Sequence, residues 1–575
     1  MLYRKMLRSY AMVFSLATVC LGLFNAPHAR AQDASAALKP PCAAMTGRTI
    51  AWTGDSARIV SAASVADGAA GKGIPAHCEI SGIMHERQGQ FGQSYAIRFH
   101  MRLPESWNDR MVFQGGGGSN GDVGDALGHV SSTGPVALAM GYAVISQDSG
   151  HDNATNSDPA HNGALAFGFD PQARADYGHA SLKASAEAAK AVLRTVYGRD
   201  PHFSYFVGCS KGGQEGMAFA QLYPDMFDGI IASAPGFALP RAAVAEAWDV
   251  QAFASLAGPR ETVKMADLAK TFSTTDFDLV RRVILEACDG SDGLQDGMVA
   301  SIWTCTDARV LPGLQARVCA SAKTDACLMA EQVSVLQRVM AGAMTSEGKP
   351  IYNGWFWPSS INAPDWRIWK IGSADGQVSP LNVLLGGPAL ASAFTSPPTA
   401  LGAPDALLAY QLNFDFDRDT AKIYATTYLF PRSAWTDVGA RSTDLSAFKA
   451  HGGRLIVPHG ESDPVFSLKD TLDWFDGLDK ADGGRAADFV RVFPVPGMCH
   501  CGGGTAADRY DMFSALVAWV EQGQAPDTVI AAAGPNTPWP GRTRPLCVYP
   551  RSAKYIGGDP EVASSFECAA LAGGT

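Results

Sequence analysis

The sequence predicts an α/β fold with a parallel sheet, and three observations carry this prediction. Short apolar runs bounded by turn residues alternate with helical patterns. Residues 180–197 are alanine-rich with apolar positions at helical spacing, as a helix packed on a sheet requires. The alternation of strand and helix patterns stops between about residues 237 and 449 and resumes at Arg454, which indicates a large insertion. The predicted strands are 95–103, 111–114, 142–147, 205–208, 229–232, 454–458 and 489–495.

Length and composition predict a large core and more than one domain. The chain has 575 residues, 47% of them hydrophobic, and a formal net charge of -10. It has no block rich in Lys and Arg, so a nucleic-acid-binding surface is not expected. We expect a catalytic domain formed by residues 32–236 and 450–575, with a lid domain at 237–449 inserted between them.

The N-terminus has the pattern of an export signal. Basic residues precede an apolar stretch at 10–24, and Ala29-Arg30-Ala31 offers a small-x-small cleavage site. The stretch is shorter than the ~20 residues that a membrane-spanning helix needs, so cleavage is favoured over a membrane anchor, and no later segment is suited to span a bilayer. We therefore expect a signal peptide at residues 1–31 and a secreted or periplasmic mature chain.

A candidate nucleophile lies between a predicted strand and a helical pattern. Gly208-Cys209-Ser210-Lys211-Gly212 has the G-x-S-x-G form, in which a sharp strand-to-helix turn pushes the serine hydroxyl outward. Its glycines remove side chains that would clash. A glycine-rich loop without catalytic function is the alternative, but the correct strand and helix on either side favour Ser210 as the nucleophile of an α/β-hydrolase.

A base and an acid must follow the serine in this fold, in the order Asp or Glu and then His. Two late loops, 459–463 and 496–501, follow predicted strands, where ligands meet an α/β sheet. Asp463 is the expected acid and His500 the expected base. Glu461 competes for the acid and His459 for the base, but His459 precedes the acid and is expected to have a structural role.

A glycine-rich loop is the candidate source of oxyanion stabilisation. The run from Gln114 to Gly121 begins at the end of a predicted strand and contains four consecutive glycines. Bare backbone N–H groups there could approach a substrate oxygen closely. Gly118 is the candidate donor, with the Lys211 N–H as the second. A phosphate-binding loop is the alternative, but the Gly-Lys-Ser/Thr ending is missing.

The cysteines fit an exported protein. The chain has 12, and 11 remain without Cys20, so at least one thiol of the monomer is unpaired. Cys209 precedes Ser210 and Cys501 follows His500, so a disulfide between these cysteines would tie the nucleophile to the base. Two unrelated buried thiols are the alternative. The absence of a CxxC…CxxC pattern argues against a zinc cluster.

A short acidic segment is a candidate cation site. Residues 289–298 contain three aspartates and three glycines, and carboxylates this close repel one another unless a hard cation lies between them. Calcium takes carboxylate and carbonyl oxygens. The spacing is not that of an EF-hand, and it leaves both calcium and a solvated acidic turn open.

Taken together, Cys209-Ser210, Asp463 and His500-Cys501 resemble the site of the tannase and feruloyl esterase family, in which the two cysteines are bonded to each other. The resemblance extends over nearly the whole chain from about Cys42. It implies a secreted serine carboxylic-ester hydrolase of α/β-hydrolase fold that acts on aromatic acid esters. A closer likeness, to family members that hydrolyse terephthalate monoesters, is carried by the runs at 150–153, 170–174, 414–417 and 542–547.

The family resemblance also implies ligands and bonds that spacing alone does not. It implies a structural Ca²⁺ in the lid, held by carboxylates of Asp289, Asp292 and Asp296 and carbonyls of Leu294 and Met298. It implies four further disulfides, Cys42–Cys78, Cys288–Cys305, Cys319–Cys327 and Cys547–Cys568, which leaves Cys499 unpaired. Trp366 and Phe466 fall where aromatic walls of the acyl pocket are expected, with ordinary packing as the alternative.

One departure from the family pattern bears on the substrate. A terephthalate monoester has a second carboxylate, which a pocket arginine would clamp. The segment 371–392, where that arginine is expected, contains no Lys or Arg. Feruloyl or galloyl esters, or neutral aromatic diesters, therefore remain alternatives. A binding protein on an inactive hydrolase scaffold and a peptidase are the alternatives from other functional classes.

Overall fold

A mixed ten-stranded sheet is the central layer of the protein. The structure is a computed structural model and describes residues 40–402 and 404–570. The strands of this sheet are β1 (Thr49–Trp52), β2 (Asp55–Val65), β3 (His77–Gln88), β4 (Ser94–Pro104), β5 (Arg110–Gln114), β6 (Ala143–Gln147), β7 (Phe203–Cys209), β8 (Gly229–Ser233), β9 (Arg454–Gly460) and β10 (Val490–Val495). They lie in the order β1-β2-β3-β4-β6-β5-β7-β8-β9-β10.

The sheet has an antiparallel half and a parallel half. Strands β1 to β4 pair antiparallel, as do β4 and β6, whereas all pairs from β6 to β10 are parallel. All seven predicted strands are present, and the predicted α/β-hydrolase fold class is confirmed. Strands β1 to β3 were not predicted, because β2 exposes most of its residues and lacks the apolar run of a buried strand.

Helices flank the sheet and fill the connections. They are α1 (Asn153–Asn156), α2 (Pro171–Ala175), α3 (Ser181–Tyr197), α4 (Lys211–Leu222), α5 (Leu239–Ala254), α6 (Met265–Leu268), α7 (Thr274–Cys288), α8 (Asp307–Gln315), α9 (Ala330–Ala341), α10 (Pro364–Lys370), α11 (Gly387–Ala391), α12 (Pro404–Leu412), α13 (Ala434–Val438), α14 (Ser446–His451), α15 (Leu468–Ala481) and α16 (Met512–Gln522). A π-helical turn precedes α3 at Asp176–Ala180, and another precedes α11 at Asn382–Gly386. Within the described ranges, no helix has both the length and the apolar character needed to cross a membrane.

The chain leaves the sheet after β8 and returns to it at β9. This insertion, residues 234–453, contains α5 to α14 and, as far as it is described, no strand of the sheet. The residues that the structure describes form one compact unit. The boundaries predicted for a separate lid domain, 237–449, therefore stay a prediction, and the predicted signal peptide lies outside the described residues.

Four strands near the C-terminus form two small antiparallel sheets. One pairs β11 (Thr528–Ala532) with β12 (Thr543–Cys547), and the other pairs β13 (Arg551–Tyr555) with β14 (Phe566–Ala570). The structure contains the five expected disulfides, namely Cys42–Cys78, Cys209–Cys501, Cys288–Cys305, Cys319–Cys327 and Cys547–Cys568. The last of these links β12 to β14 and so holds the two small sheets together.

Candidate active site

Ser210 lies at the sharp turn between β7 and α4. Its backbone has φ 66° and ψ -118°, a strained conformation for a residue with a side chain. The turn closes only because its neighbours are glycines. A Cβ on Gly208 would lie 2.6 Å from backbone atoms of Gly212, and one on Gly212 would lie 2.7 Å from the carbonyl oxygen of Gly116. The G-x-S-x-G pattern is thus explained by backbone contact on both sides of the serine.

Three side chains from three loops form a continuous hydrogen-bond chain. His500 Nε2 lies 2.8 Å from Ser210 Oγ, and His500 Nδ1 lies 2.8 Å from Asp463 Oδ2. The other oxygen of Asp463 accepts hydrogen bonds from the backbone N–H groups of Val465, at 2.7 Å, and Phe466, at 3.1 Å. This arrangement places Nδ1–H toward the carboxylate and leaves Nε2 free to accept the serine proton.

Asp463 is held as a carboxylate. Burial would raise its pKa, but the charge of His500 and hydrogen bonds from His459 and His500 hold the pKa well below the usual value for an aspartate. A permanent negative charge next to the imidazole would stabilise an imidazolium at His500.

The competing candidates for the base and the acid, His459 and Glu461, form structural hydrogen bonds instead. His459 is fully buried; its Nδ1 lies 2.9 Å from Thr471 Oγ1, and its Nε2 lies 3.1 Å from the carbonyl oxygen of Phe466. Glu461 accepts hydrogen bonds from the backbone N–H groups of Ser359 and Gly497, each at 3.0 Å. Neither side chain hydrogen-bonds to Ser210. Glu461 instead joins the insertion to the loop that carries His500.

Gly118 and Lys211 line the same cavity as Ser210. Among the described residues, neither of their backbone N–H groups has a hydrogen-bond acceptor, so both are available to a substrate oxygen. The Tyr177 hydroxyl donates a hydrogen bond to the carbonyl oxygen of Gly118 at 3.3 Å and so helps to position this loop.

Glu215, on the helix that follows the nucleophile, anchors the glycine-rich loop. It is fully buried, and its carboxylate accepts hydrogen bonds from the Gly116 N–H at 2.9 Å and Asn120 Nδ2 at 2.8 Å. It also forms an ion pair with Lys211 Nζ at 3.0 Å. Glu215 therefore connects the two candidate oxyanion donors, Gly118 and Lys211, through buried polar contacts. The sequence signal that could have revealed it is the Lys-x-x-x-Glu spacing on α4.

We expect Glu215→Gln to reduce kcat by about 10- to 100-fold, because an amide cannot accept all the hydrogen bonds that hold the loop. The change in KM should be smaller, since Glu215 does not line the cavity. Steady-state kinetics would measure both constants, with Glu347→Gln, at an exposed acid of the insertion, as the matched control. Unchanged kcat in folded Glu215→Gln protein would contradict this role.

Aromatic side chains flank the imidazole on two sides. Phe466 lines the cavity, and its ring centroid lies 5.4 Å from that of His500. The structure places Trp366 elsewhere: it is buried among insertion side chains, 5.4 Å from the Phe277 ring, and does not line the cavity. Trp369, three residues further along α10, lines the cavity 5.9 Å from His500. The sequence shows both tryptophans, but only the orientation of α10 decides which one faces the site.

The cavity beside Ser210 is mostly apolar. The lining side chains from outside the insertion include Leu165, Val465 and Phe466, and the insertion contributes Leu239, Ala242, Ala243, Trp369, Leu385, Ala389 and Phe394. Among the described residues that line it, Lys211 is the one cationic side chain and Glu246 the one acidic side chain. Because Lys211 Nζ is committed to Glu215, the cavity presents no free cation.

The Cys209–Cys501 disulfide joins the residue before Ser210 to the residue after His500. Cys499 is a free thiol on the other side of His500 and is fully buried. Burial raises the pKa of Cys499 well above the usual value for a thiol, and nearby carboxylates add to the rise. Since only a thiolate attacks a disulfide, Cys499 is protected from exchange with its neighbours.

The acidic loop contains carboxylates that lack a cationic partner. Asp289 and Asp292 are buried and form no ion pair within the described ranges, whereas Asp296 pairs with Arg544. Burial raises the pKa of Asp292 to about 7, and the charges of Asp296 and Asp289 add to the rise. A bound cation would relieve this destabilisation, so the residues present fit a calcium ion.

The loop is also held by its own backbone. Asp289 accepts from the Gly297 N–H, Asp292 from the Leu294 N–H and Asp296 from the Met298 N–H. In the part of the chain that is described, no group of three or more His, Cys, Asp or Glu side chains converges as a ready-made metal cluster. The carboxylates would therefore have to move closer together to share one ion.

The fold and the Ser-His-Asp geometry are those of an α/β-hydrolase, and comparison with known proteins identifies the family. The family described as "Tannase and feruloyl esterase" matches residues 78–569. The chain is 40% identical over 553 residues to mono(2-hydroxyethyl) terephthalate hydrolase of Piscinibacter sakaiensis, a match that covers 92% of this chain and 89% of that protein. It is 30% identical over 485 residues, 81% of each chain, to a probable feruloyl esterase of Arthroderma benhamiae.

Solved structures share the fold. Feruloyl esterase B from Aspergillus oryzae superposes with a TM-score of 0.68 at 21% identity, covering 89% of this chain and 97% of that one. Tannin acyl hydrolase from Aspergillus niger superposes with a TM-score of 0.63 at 19% identity, covering 93% and 94%. The chain thus belongs to the tannase and feruloyl esterase family and is a carboxylic ester hydrolase, as the sequence predicted.

Proposed function

We propose that this protein is a serine esterase that hydrolyses small aromatic acid esters through Ser210, His500 and Asp463. The observation that carries the proposal is the unbroken hydrogen-bond chain from Asp463 to Ser210 at an apolar cavity. Ser210 Oγ attacks the ester carbonyl carbon while His500 Nε2 takes its proton. The N–H groups of Gly118 and Lys211 stabilise the oxyanion.

Collapse of this intermediate breaks the bond to the alcohol, which leaves with the proton from His500, and Ser210 is left acylated. A water molecule then attacks the acyl carbon as His500 accepts its proton. Return of that proton to Ser210 releases the carboxylic acid. Asp463 stays ionised throughout, since its pKa lies far below neutral pH.

A terephthalate monoester is the first candidate substrate. The 40% identity to mono(2-hydroxyethyl) terephthalate hydrolase over most of both chains supports it. The rings of Phe466 and Trp369 on two sides of His500 provide flat walls for an aromatic acyl group.

A feruloyl or galloyl ester is the second candidate. The observation that favours it is the charge of the cavity: the segment 371–392 has no Lys or Arg, and Lys211 Nζ is held by Glu215. A substrate carboxylate would therefore enter an apolar cavity without a partner, at a considerable desolvation cost.

A hydrolysis screen separates these candidates. We expect wild-type protein to cleave at least one of mono(2-hydroxyethyl) terephthalate, methyl ferulate and methyl gallate, with kcat/KM measured for each. Matched amides should not be cleaved, and a fluorophosphonate probe should label Ser210. Failure of the probe to label would indicate a binding protein, and cleavage of the amides would indicate a peptidase.

Export of the mature chain is part of the proposal. The basic and apolar pattern of residues 1–31 supports a cleaved signal peptide, and five disulfides suit an oxidising compartment. N-terminal sequencing of the secreted protein should find Gln32 as its first residue.

A structural calcium ion, held by Asp289, Asp292, Asp296 and the carbonyls of Leu294 and Met298, completes the proposal. Calcium that binds only the folded state stabilises it by about 2.7 kcal/mol when the free calcium concentration is 100 times Kd. We therefore expect a chelator to lower the melting temperature of wild-type protein by several degrees. The Asp289→Asn/Asp292→Asn double variant should melt at the same temperature with and without chelator. Identical melting of wild-type protein with calcium and after complete metal removal would show a solvated loop instead.

A further inference from the structure

One acidic side chain in the cavity has no part in the chemistry described above. Glu246 lies on α5 and is only 8% exposed. Among the described residues, no group donates a hydrogen bond to its carboxyl or forms an ion pair with it. Lys370, whose charge lowers the pKa of Glu246, is paired with Asp249 at 2.5 Å. A buried carboxyl without a partner is costly and is rare in folded proteins unless a ligand satisfies it.

The fold aims this carboxyl into the cavity. Leu239, Ala242, Ala243 and Glu246 all line the cavity and recur at the spacing of one helix face. The alanines leave room for a flat ligand along this face. Opposite them, Gly386 makes space for the carboxyl, because a Cβ at this position would collide with Glu246 Oε2.

The position of Glu246 relative to the nucleophile suits the distal end of an acyl group. The start of α5 is tied to the nucleophile turn by a hydrogen bond from the Gly236 N–H to the Ser210 carbonyl oxygen at 3.1 Å. From Leu239 to Glu246 the helix rises about 10 Å. Glu246 therefore lies far along the cavity wall from the reacting carbonyl, where a ring substituent of the acyl group would lie.

We infer that Glu246 is a specificity-determining residue that hydrogen-bonds a hydroxyl group on the aromatic ring of the substrate acid and disfavours a carboxylate at the same position. This inference rests on the proposed esterase function. A protonated carboxyl both donates and accepts, as a phenolic hydroxyl does, so the two groups satisfy each other in an apolar cavity. An ionised Glu246 facing a substrate carboxylate would instead place two like charges there.

The surroundings of Glu246 favour the protonated form. Burial raises its pKa from 4.5 to about 8; Lys370 on α10 opposes the rise, and Asp249 on α5 adds to it. The carboxyl is thus mostly neutral at pH 7 and becomes charged above about pH 8. Because the folded state keeps a proton that the unfolded state loses near pH 4.5, the stability of the protein should fall as pH rises from about 4.5 to about 8.

The test compares wild-type protein with Glu246→Gln and Glu246→Leu on methyl 4-hydroxycinnamate and methyl 4-methoxycinnamate, in which a methyl group replaces the hydroxyl hydrogen. Wild-type protein should favour the hydroxy ester by about tenfold or more in kcat/KM, since the methoxy group cannot donate a hydrogen bond and leaves a buried acceptor oxygen of Glu246 unpaired. Glu246→Gln should keep most of this preference, and Glu246→Leu should lower the ratio to near one. Leu385→Ala, also in the cavity wall, should change both esters alike.

A pH series provides a second measurement that does not depend on folding of the leucine variant. Between pH 7 and pH 9, the kcat/KM of wild-type protein for monomethyl terephthalate should fall at least threefold relative to dimethyl terephthalate, whereas the ratio for Glu246→Gln should stay constant. The melting temperature of Glu246→Gln should also gain on that of wild-type protein as pH rises from about 5 to about 8, the range in which only the folded state keeps the proton.

The inference is overturned if wild-type protein cleaves the two cinnamates equally, or if the pH series of wild-type and Glu246→Gln protein coincide. Both outcomes leave the esterase function intact. Absence of hydrolysis of every ester by wild-type protein is a different result and would overturn the proposed function itself.

Discussion

Replacement of Ser210 by Ala is expected to abolish ester hydrolysis and leave the fold intact. The serine is the only part of the hydrogen-bond chain that can form an acyl intermediate, and loss of the nucleophile from a triad of this kind lowers kcat by a factor on the order of 10⁶. Its hydroxyl contributes one hydrogen bond to the structure, the one with His500. The circular dichroism spectrum and melting temperature should therefore stay close to those of the wild-type protein.

Two further variants make this prediction specific to the triad. His500→Ala should show a loss of similar size, and the Ser210→Ala/His500→Ala double variant should lose little more, because the residues act as one unit. Ser334→Ala, at an exposed serine of α9, is the matched control and should retain full activity. Substantial hydrolysis by folded Ser210→Ala protein would end the proposed mechanism.

Loss of the Cys209–Cys501 disulfide is expected to have the second largest effect. The bond spans 292 residues of sequence, and chain entropy assigns about 5–6 kcal/mol to such a cross-link, an upper figure because strain usually subtracts. It also fixes the distance between the elements that carry Ser210 and His500. The insertion, residues 234–453, lies between these two elements in the sequence. We expect a Cys209→Ser/Cys501→Ser variant to lose 10- to 100-fold in kcat at temperatures where it is still folded.

The Cys319→Ser/Cys327→Ser variant provides the matched control. That bond spans 8 residues within the insertion and is worth about 2–3 kcal/mol on the same basis, so its loss should lower the melting temperature slightly and leave kcat unchanged. Peptide mapping of non-reduced wild-type protein should find Cys209 joined to Cys501 and Cys499 free. A Cys209–Cys499 bond, or equal kcat values for the two double variants, would contradict the proposed positioning role.

The parallel half of the sheet could be predicted from the sequence, because strands buried on both faces are short continuous apolar runs between turn residues. The antiparallel edge, strands β1 to β3, could not be predicted in this way. Strand β2 alternates polar and small residues with much of its length exposed, and its place is decided by pairing with β3 rather than by its own composition. The same contrast holds for two aromatic residues. The place of Phe466 in the cavity could be predicted because it lies in a loop at the end of a strand. The place of Trp366 could not, because it depends on how α10 is rotated about its axis.

The chemistry of the site could be predicted from local sequence patterns. Ser210, Asp463 and His500 follow strands in the order that the fold requires, and their flanking glycines and cysteines have patterns that few other folds would need. The environment of these residues follows only from the folded structure. There Glu215 anchors the glycine-rich loop, Trp369 lines the cavity, and Glu246 faces the cavity without a partner among the described residues. The physical reason is that a catalytic motif depends on local backbone geometry, which neighbouring residues dictate. Burial, pairing and pKa depend instead on contacts between segments hundreds of residues apart, which no local pattern records.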